Sequence, residues 1–332
     1  MNQNKSGRKY IKWLLPLIVL ILGGGALYTI IKNISSTEYE QVRTKAELNA
    51  VTYANRMVTD LNAAVNVTNS LKNILISENG RISEFDTVAE SMMDDYIQSI
   101  QLAPDGVVTD IYPEKGNEAG KIDLVHDEKR GGIVNYGIEH DIVVMQGPFQ
   151  LNQGGYGIAV RTPVYLKDED GERYFWGLTI VIIRVPEIFN DSVKSLSEFG
   201  YQYRLFKTDS PLSKEYKLID ESATELDNPV SHIFNLGGCQ WKLEVMPDAG
   251  WHQKKSVYFV GFSGIIMIML FEGLTLMLLS MENQRRIFKK MAVTDGLTKL
   301  LNRNGFNERM DNYINNEHAK HCTGIMLDVD NF

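Results

Sequence analysis

Residues 13–31, WLLPLIVLILGGGALYTII, decide the architecture of this chain. They carry no charge over 19 positions, and a helix of that length rises about 28 Å, close to the thickness of a bilayer core. The basic residues that precede them are Lys5, Arg8, Lys9 and Lys12. Because basic flanks stay in the cytoplasm, we predict a transmembrane helix with residues 1–12 inside. The alternative is a secretory signal that is cleaved near the small residues at 23–26.

A second apolar segment covers residues 257–279, VYFVGFSGIIMIMLFEGLTLMLL. The basic residues that follow it are Arg285, Arg286, Lys289 and Lys290. Two spans with basic outer flanks predict a multi-pass protein of the cell membrane, with both termini cytoplasmic and residues 33–256 outside. The one charged residue of this segment is Glu272. A carboxyl group at that depth is costly, so we predict that it bonds the first span or a dimer mate inside the lipid bilayer.

The charge of the predicted exterior excludes one class of partner. Residues 33–256 hold 21 Lys and Arg against 34 Asp and Glu, a net charge of −13. Nucleic-acid binding needs a basic surface, so no nucleic-acid partner is expected. The two cysteines, Cys239 and Cys322, fall on opposite sides of the membrane and cannot pair, which excludes a disulfide scaffold.

The exterior begins with a predicted long helix. Residues 35–77 contain neither Gly nor Pro, and Glu78-Asn79-Gly80 marks the end. Val51, Val58 and Val65 recur every seven residues, as in a heptad seam. Two interpretations remain open, a stalk that forms a dimer and a helix that packs on its own domain.

The rest of the exterior predicts an α+β fold in two lobes. Between residues 86 and 185, hairpin-linked segments rich in Val, Ile and aromatic residues predict a five-stranded antiparallel sheet with helices on one face. The segment 127–141 is weakly helical at best. Residues 195–250 predict a smaller, membrane-proximal lobe with four short strands.

The cytoplasmic part follows the second span. Residues 280–294 are good helix formers with alternating charge and predict a helix. Residues 295–332 begin a further domain, which ends in an apolar strand over 323–330. Asp328 and Asp330 lie two positions apart on that strand, so their carboxylates share a face and can hold a hard cation such as Mg²⁺.

Two motifs in this last segment resemble the opening of the GGDEF (diguanylate cyclase) domain. The matching positions are Asp295, Leu297, Thr298, Leu300, Asn302, Arg303 and Phe306, then Asp328, Val329, Asp330 and Phe332. Lys299 replaces a frequent glycine. The resemblance implies an α/β domain in which Asp328 and the carbonyl of Val329 bind Mg²⁺. It also implies that the amides of Asn331 and Phe332 approach the phosphates of GTP, and that a homodimer makes cyclic di-GMP.

The Gly-Gly-(Asp/Glu)-Glu-Phe turn of that family does not occur in this sequence. We therefore expect a truncated GGDEF domain, assign no catalytic residue and expect the chain as given to be inactive. The alternatives are a non-catalytic membrane sensor and an adaptor whose degenerate GGDEF domain acts by binding partners. The residues encoded after Phe332 would separate them.

A second resemblance covers residues 86–185. Its positions are residues 101–108, 112–113, 116–117, 147–148, 153–155, Arg161, 163–164 and 175–177. Together they resemble the CHASE domain, an extracellular PAS-like sensor module of kinases and cyclases. The resemblance implies a small-molecule ligand against the central sheet, with the candidate contacts Gln146, Gln153, Tyr156, Arg161, Tyr165 and Trp176. Arg161 has two interpretations, a clamp for a carboxylate or phosphate and a member of a structural ion pair.

Overall fold

The computed structural model describes residues 4–115, 122–252, 254–315, 323 and 325. Ser35–Gln253 form one compact unit, and the described parts of the two flanking segments form another. Only two positions of the strand predicted over 323–330 are described. The predicted metal and nucleotide positions, Asp328, Val329, Asn331 and Phe332, lie outside the described residues.

The first helix, α1 (Asn4–Ser77), contains both the first apolar segment and the predicted long helix. It ends where Asn79 and Gly80 adopt positive φ angles of 52° and 85°, which confirms the predicted stop signal. Gly80 is required there, since a Cβ atom would lie 2.6 Å from the Nε1 atom of Trp176.

The first lobe is built on the predicted five-stranded antiparallel sheet, in the order β2-β1-β5-β4-β3. Its strands are β1 (Ile97–Pro104), β2 (Asp110–Tyr112), β3 (Val144–Gln150), β4 (Tyr156–Lys167) and β5 (Arg173–Val185). Two helices belong to this lobe, α2 (Phe85–Ser91) and α3 (Gly131–His140). The prediction of weak helicity over 127–141 was wrong, because α3 is a regular helix despite its three glycines.

Helices cover both faces of this sheet, which corrects the prediction that they lie on one. Side chains alternate along β5. Val181 and Ile183 belong to the core formed with α1, whereas Leu178 and Ile180 pack in a second cluster with Val134 of α3. The α3 face encloses the candidate site described below.

A 3₁₀ turn (Glu187–Phe189) leads into the second lobe, which begins with α4 (Asn190–Glu198). Its four strands have the order β7-β6-β9-β8, and they are β6 (Tyr201–Thr208), β7 (Tyr216–Glu221), β8 (Val230–Leu236) and β9 (Cys239–Pro247). Trp241 is fully buried, and its ring lies 5.8 Å from that of Phe189 and 5.9 Å from that of Phe234.

α1 packs on its own domain, as one of the two interpretations held. Met57, Leu61 and Leu71 of α1 are fully buried in the same core as Trp241. Val58 and Val65 of the predicted heptad seam also pack against this core, whereas Val51 is 37% exposed. The dimer-forming stalk stays a prediction.

The outer edge of β3 is covered by the second lobe. The amide of Met145 donates to the carbonyl of Gly237 at 2.9 Å, and the amide of Gly147 donates to the carbonyl of Asp209 at 3.1 Å. The thiol of Cys239 donates to the carbonyl of Met145 at 3.1 Å. Backbone groups that this edge strand would otherwise expose are thereby hydrogen-bonded. These bonds also join the two lobes.

The other unit contains α5 (Lys254–Val293) and α6 (Arg303–Ile314) besides the start of α1. Two helices are long and apolar enough to cross a bilayer, with window hydropathies of 2.3 in Leu14–Ser77 and 2.1 in Lys254–Val293. Only 6% and 0% of these windows are buried, so their apolar side chains face outward. A core helix of a soluble protein would be buried, so this exposure is that of a membrane protein.

Candidate ligand-binding site

A cavity of about 510 Å³ lies on the α3 face of the first-lobe sheet. Its floor is formed by adjacent strands, with Ser99 and Gln101 on β1, Ile180 on β5, Arg161 on β4 and Gln146 on β3. A volume of this size suits a small organic molecule.

Arg161 is the most buried charged group of the cavity, with 4% of its surface exposed. Its Nη1 atom donates to Oε1 of Gln146 at 2.7 Å, but its buried Nε atom has no partner among the described residues. Burial, and then the charge of Arg130, lower the pKa of Arg161 to about 10, against the opposing effect of Asp127. A buried guanidinium with an unused donor is an incomplete site, because burying an unpaired charge is costly.

Among the described residues, Arg161 has no carboxylate partner that would form the structural ion pair of the second interpretation. Within the described part of the chain, no carboxylate lies within 4.0 Å of its guanidinium. A guanidinium without a carboxylate partner can act as a clamp for an anionic group, and both interpretations of Arg161 stay predictions.

Other basic residues also line the cavity. Lys129 and Arg130 precede α3, where their backbone amides donate to Oδ1 of Asp127 at 2.9 and 2.8 Å. Hydrogen bonds from the amides of Arg130 and then Lys129 lower the pKa of Asp127, so this carboxylate stays charged and fixes the turn. Lys217 of β7 lines the cavity from the second lobe.

Carboxamide side chains supply the neutral polar surface of the cavity. They belong to Gln98, Gln101, Gln146, Gln150, Asn152 and Gln153. Nε2 of Gln98 donates to Oε1 of Gln153 at 3.0 Å, and Nε2 of Gln101 donates to the Ser99 hydroxyl at 2.9 Å. Amides both donate and accept, so they can orient a polar ligand without adding charge.

Three of the six predicted ligand residues meet at this cavity, namely Gln146, Gln153 and Arg161. The other three lie elsewhere. Tyr156 is 57% exposed. Tyr165 donates to the carbonyl of Ile138 and lies under the guanidinium of Arg173. Trp176 packs in the cluster at the end of α1, so it is a core residue.

Sequence reasoning missed Lys129, Arg130 and Lys217. The first two stand just before Gly131-Gly132. With a helix predicted from Gly131, this basic pair would have indicated two cations at the start of that helix. Lys217 carried no signal, because only the contact between the lobes brings β7 to the cavity.

The opposite face of β4 is pinned to α1 by buried hydroxyl groups. The Oγ1 atoms of Thr68 and Thr162 lie 2.7 Å apart, and the Thr179 hydroxyl donates to the carbonyl of Thr68 at 2.9 Å. All three residues are buried. Since Thr162 follows Arg161 directly, the cavity floor and the α1 contact are one residue apart on a single strand.

The described part of the predicted output domain forms a joint between α5 and α6. Oδ1 of Asp295 accepts from the amide and the hydroxyl of Thr298 at 2.8 and 2.7 Å, and these bonds lower the pKa of Asp295. Asn302 caps α6 by accepting from the amide of Gly305 at 2.9 Å and donates to the carbonyl of Ala292 at 2.9 Å. These motif residues therefore have local structural partners.

Glu272 lies in the apolar part of α5. Its Oε2 atom is buried and has no hydrogen-bond partner among the residues that the structure describes. The predicted bonds to the first span and to a dimer mate both stay predictions.

The sequence matches no protein-family profile. It also matches no curated protein. Among solved structures, an extracellular ligand-binding receptor from Desulfohalobium retbaense is 13% identical, with a TM-score of 0.45, over 59% of this chain and 39% of that one. The ligand-binding domain of the Pseudomonas aeruginosa amino-acid chemoreceptor PctC, in complex with GABA, is 14% identical, with a TM-score of 0.40, over 62% and 98%.

A further neighbour is the ligand-binding domain of a Campylobacter jejuni chemoreceptor in complex with 4-methylisoleucine. It is 11% identical, with a TM-score of 0.40, over 65% of this chain and 92% of that one. Likeness at this level assigns no ligand to the chain and adds nothing to the GGDEF and CHASE resemblances.

Proposed function

We propose that this chain is a membrane receptor whose first lobe binds a small molecule outside the cytoplasm and whose full-length form controls a cytoplasmic diguanylate cyclase. The observation that carries the receptor function is the buried guanidinium of Arg161, which lines a cavity of about 510 Å³ and has no carboxylate within 4.0 Å among the described residues. A protein does not bury such a group without a compensating partner, and here a ligand would supply it.

The proposed topology places both termini in the cytoplasm and residues 33–256 outside. It is supported by the basic residues outside both apolar segments. The net charge of −13 over residues 33–256 agrees with it, because acidic segments cross the membrane without violating the rule for basic residues.

The proposed output is the condensation of two GTP molecules into cyclic di-GMP by a homodimer of the full-length protein. The support is the paired motif that begins at Asp295 and ends at Phe332. Asp328 and the carbonyl of Val329 offer the hard oxygen ligands that Mg²⁺ prefers, and the metal would neutralise phosphate charge. Leu297 and Phe306 are 92% and 56% exposed in the described residues, as expected for apolar positions that pack on the rest of a domain.

Ligand binding would act by shifting the balance between two dimer arrangements. It can do so only if the ligand binds the two arrangements with different affinities. The Thr68–Thr162 contact next to Arg161 supplies a short path from the cavity to α1.

The test uses the source gene extended past Phe332, expressed in cells, with cyclic di-GMP as the readout. A Gly-Gly-(Asp/Glu)-Glu-Phe turn in the extension and a cyclic di-GMP level that changes in Arg161→Met cells, relative to Lys167→Met cells, would support the proposal. Lys167 is an exposed residue of the same strand and serves as the matched control. A degenerate turn with no cyclic di-GMP would instead favour the adaptor, and equal levels in both variants would remove Arg161 from the sensing site.

A further inference from the structure

The cavity is built by both lobes. Asp209 follows β6 and Lys217 belongs to β7, and both line a cavity whose floor is the sheet of the first lobe. The second lobe therefore does more than support the first, because it closes one side of the candidate site.

A buried lysine fixes this closure. Lys207 is fully buried, and its Nζ atom donates to the carbonyls of Gly147 at 3.0 Å, Thr208 at 2.7 Å and Asp209 at 3.2 Å. Gly147 lies on β3 of the first lobe, so one ammonium group ties a cavity residue of each lobe together. Gly147 itself has a φ of +127°, and a Cβ there would lie 2.7 Å from the carbonyl oxygen of Gly157, which excludes a bulkier residue.

The second lobe thereby presents a cation to the cavity. Nζ of Lys217 lies 2.9 Å from Oδ1 of Asp209, and the lysine side chain is 48% exposed. An ammonium group has three donors, so this ion pair leaves capacity for a ligand.

The charge of the cavity wall is strongly unbalanced. Among the described residues that line it, the charged ones are Lys129, Arg130, Arg161 and Lys217 against Asp209, four cations and one carboxylate. The remaining wall includes apolar side chains, among them Val108, Leu124 and Ile182. Cations together with an apolar surface suit an organic anion that carries more than one charge and has a carbon skeleton to bury.

We propose that the cavity binds a small organic acid with at least two carboxylates, held by Arg161 of the first lobe and Lys217 of the second. This inference rests on the proposed sensor function and adds the class of ligand and the role of the second lobe. The bound acid bridges the two lobes, so occupancy fixes their mutual position. Lys207 is a positioning residue for the bridge.

The experiment measures the binding of four probes to the full chain in lipid nanodiscs, by ligand-induced thermal stabilisation. The probes are citrate, succinate, the monocarboxylate butyrate and inorganic phosphate. We expect citrate or succinate to bind at least about tenfold more tightly than butyrate or phosphate, since one lost charge-assisted bond corresponds to about that factor. Failure of both citrate and succinate to bind more tightly than the other two overturns the ligand class, while the sensor function is still judged by cyclic di-GMP.

The variants test the two-lobe arrangement. Lys217→Met should weaken binding of the better probe about tenfold, whereas Lys217→Arg should bind within about threefold of the wild type. Lys194→Met is the control, because Lys194 is an exposed lysine of the second lobe outside the cavity. Equal affinities for Lys217→Met and Lys194→Met overturn the bridge. Unchanged binding in Arg161→Met would overturn the proposed sensing site as well.

A second measurement tests the contact between the ligand and Lys217 even if Lys217→Met lowers the stability of the protein. Hydrogen exchange of the β7 amides should slow at least threefold when the better probe binds the wild type, because the ligand restrains that strand. The same probe at saturation should leave β7 exchange unchanged in Lys217→Met. Slowing to the same extent in both proteins contradicts a contact through Lys217.

Discussion

Each lobe buries one cation without a carboxylate partner, and the two cations differ in how they are satisfied. In the second lobe, Lys207 donates to three backbone carbonyls. In the first lobe, Arg161 donates to Gln146 and leaves Nε without a partner among the described residues. Burial of charge alone therefore does not mark a binding site. What distinguishes Arg161 is that it lines a cavity and that its one hydrogen-bond partner among the described residues is the Gln146 side chain.

The largest expected change in stability concerns Lys207, the buried cation of the second lobe. Lys207→Met removes the donor of three carbonyls, two of them buried with it, and we expect a loss of about 2–4 kcal/mol in the free energy of unfolding. The measurement is urea unfolding of the full chain in nanodiscs, followed by the fluorescence of the buried Trp241. Lys194→Met, on the surface of the same lobe, should change less than about 0.5 kcal/mol. A loss below that value for Lys207→Met would show that the lysine is not a structural tie.

The next prediction is a gain in stability when Arg161 is replaced. Burial lowers the pKa of Arg161 to about 10, so its charged form is penalised in the folded state at neutral pH. Arg161→Met removes this penalty, and we expect the ligand-free protein to gain about 1–3 kcal/mol of unfolding free energy. The same urea titration measures it, with Lys167→Met on β4 as the control. Destabilisation by more than about 1 kcal/mol would make Arg161 a structural residue like Lys207.

A smaller loss is expected on the other face of β4. Thr162→Val keeps the side-chain shape but removes the hydroxyl that meets Thr68. The Thr68 hydroxyl keeps its bond to the carbonyl of Val65, so we expect the loss of one buried hydrogen bond, about 1 kcal/mol. Thr59→Val, at an exposed position of α1, should be neutral within about 0.5 kcal/mol. Equal behaviour of the two valine variants would mean that the buried hydroxyl contact does not stabilise α1 on the sheet.

The smallest effect concerns a half-buried acid on α1. Burial raises the pKa of Asp60, and the hydroxyl of Ser192, which donates to it at 2.6 Å, opposes this. A raised pKa means that the ionised form is disfavoured in the folded state, so stability falls as pH rises from the unfolded pKa through the folded one.

Asp60→Asn should therefore be more stable than the wild type at pH 7, by a few tenths of a kcal/mol after solvent screening. The difference should vanish below about pH 2.5, well under the unfolded pKa, where the wild-type acid is protonated in both states. Thermal unfolding of both proteins across this range measures it. A difference that is the same at every pH would assign the effect to the amide group and not to the charge.

Local sequence signals predicted much of the fold. Glu78-Asn79-Gly80 predicted the end of α1, and the hairpin-linked apolar segments between residues 86 and 185 predicted the five-stranded antiparallel sheet. The helix α3 was missed because its glycines lower helix propensity, while contacts on the cavity side of the sheet favour the helix. Local patterns report backbone preference, and tertiary packing overrode them here.

The candidate site was predictable only in part. Arg161 and Gln146 lie in the region of the predicted sheet, but their shared face depends on the register of β3 with β4, which pairs Val144 with Arg161. Whether Arg161 had a carboxylate partner depended on contacts distant in sequence, which no local pattern records. The contribution of Lys217 depends on the seam between Gly147 and Asp209, which joins residues 62 positions apart by one hydrogen bond.

The alternation along β4 also makes this scaffold suitable for engineering. Arg161 and the β4 residues on the same face of the sheet can be randomised to select for new ligands. Thr162 and the residues on the opposite face stay constant and preserve the contact with α1. A library restricted in this way would change which ligand binds without changing the contact between β4 and α1. A biosensor for a new ligand could then be selected on the same fold.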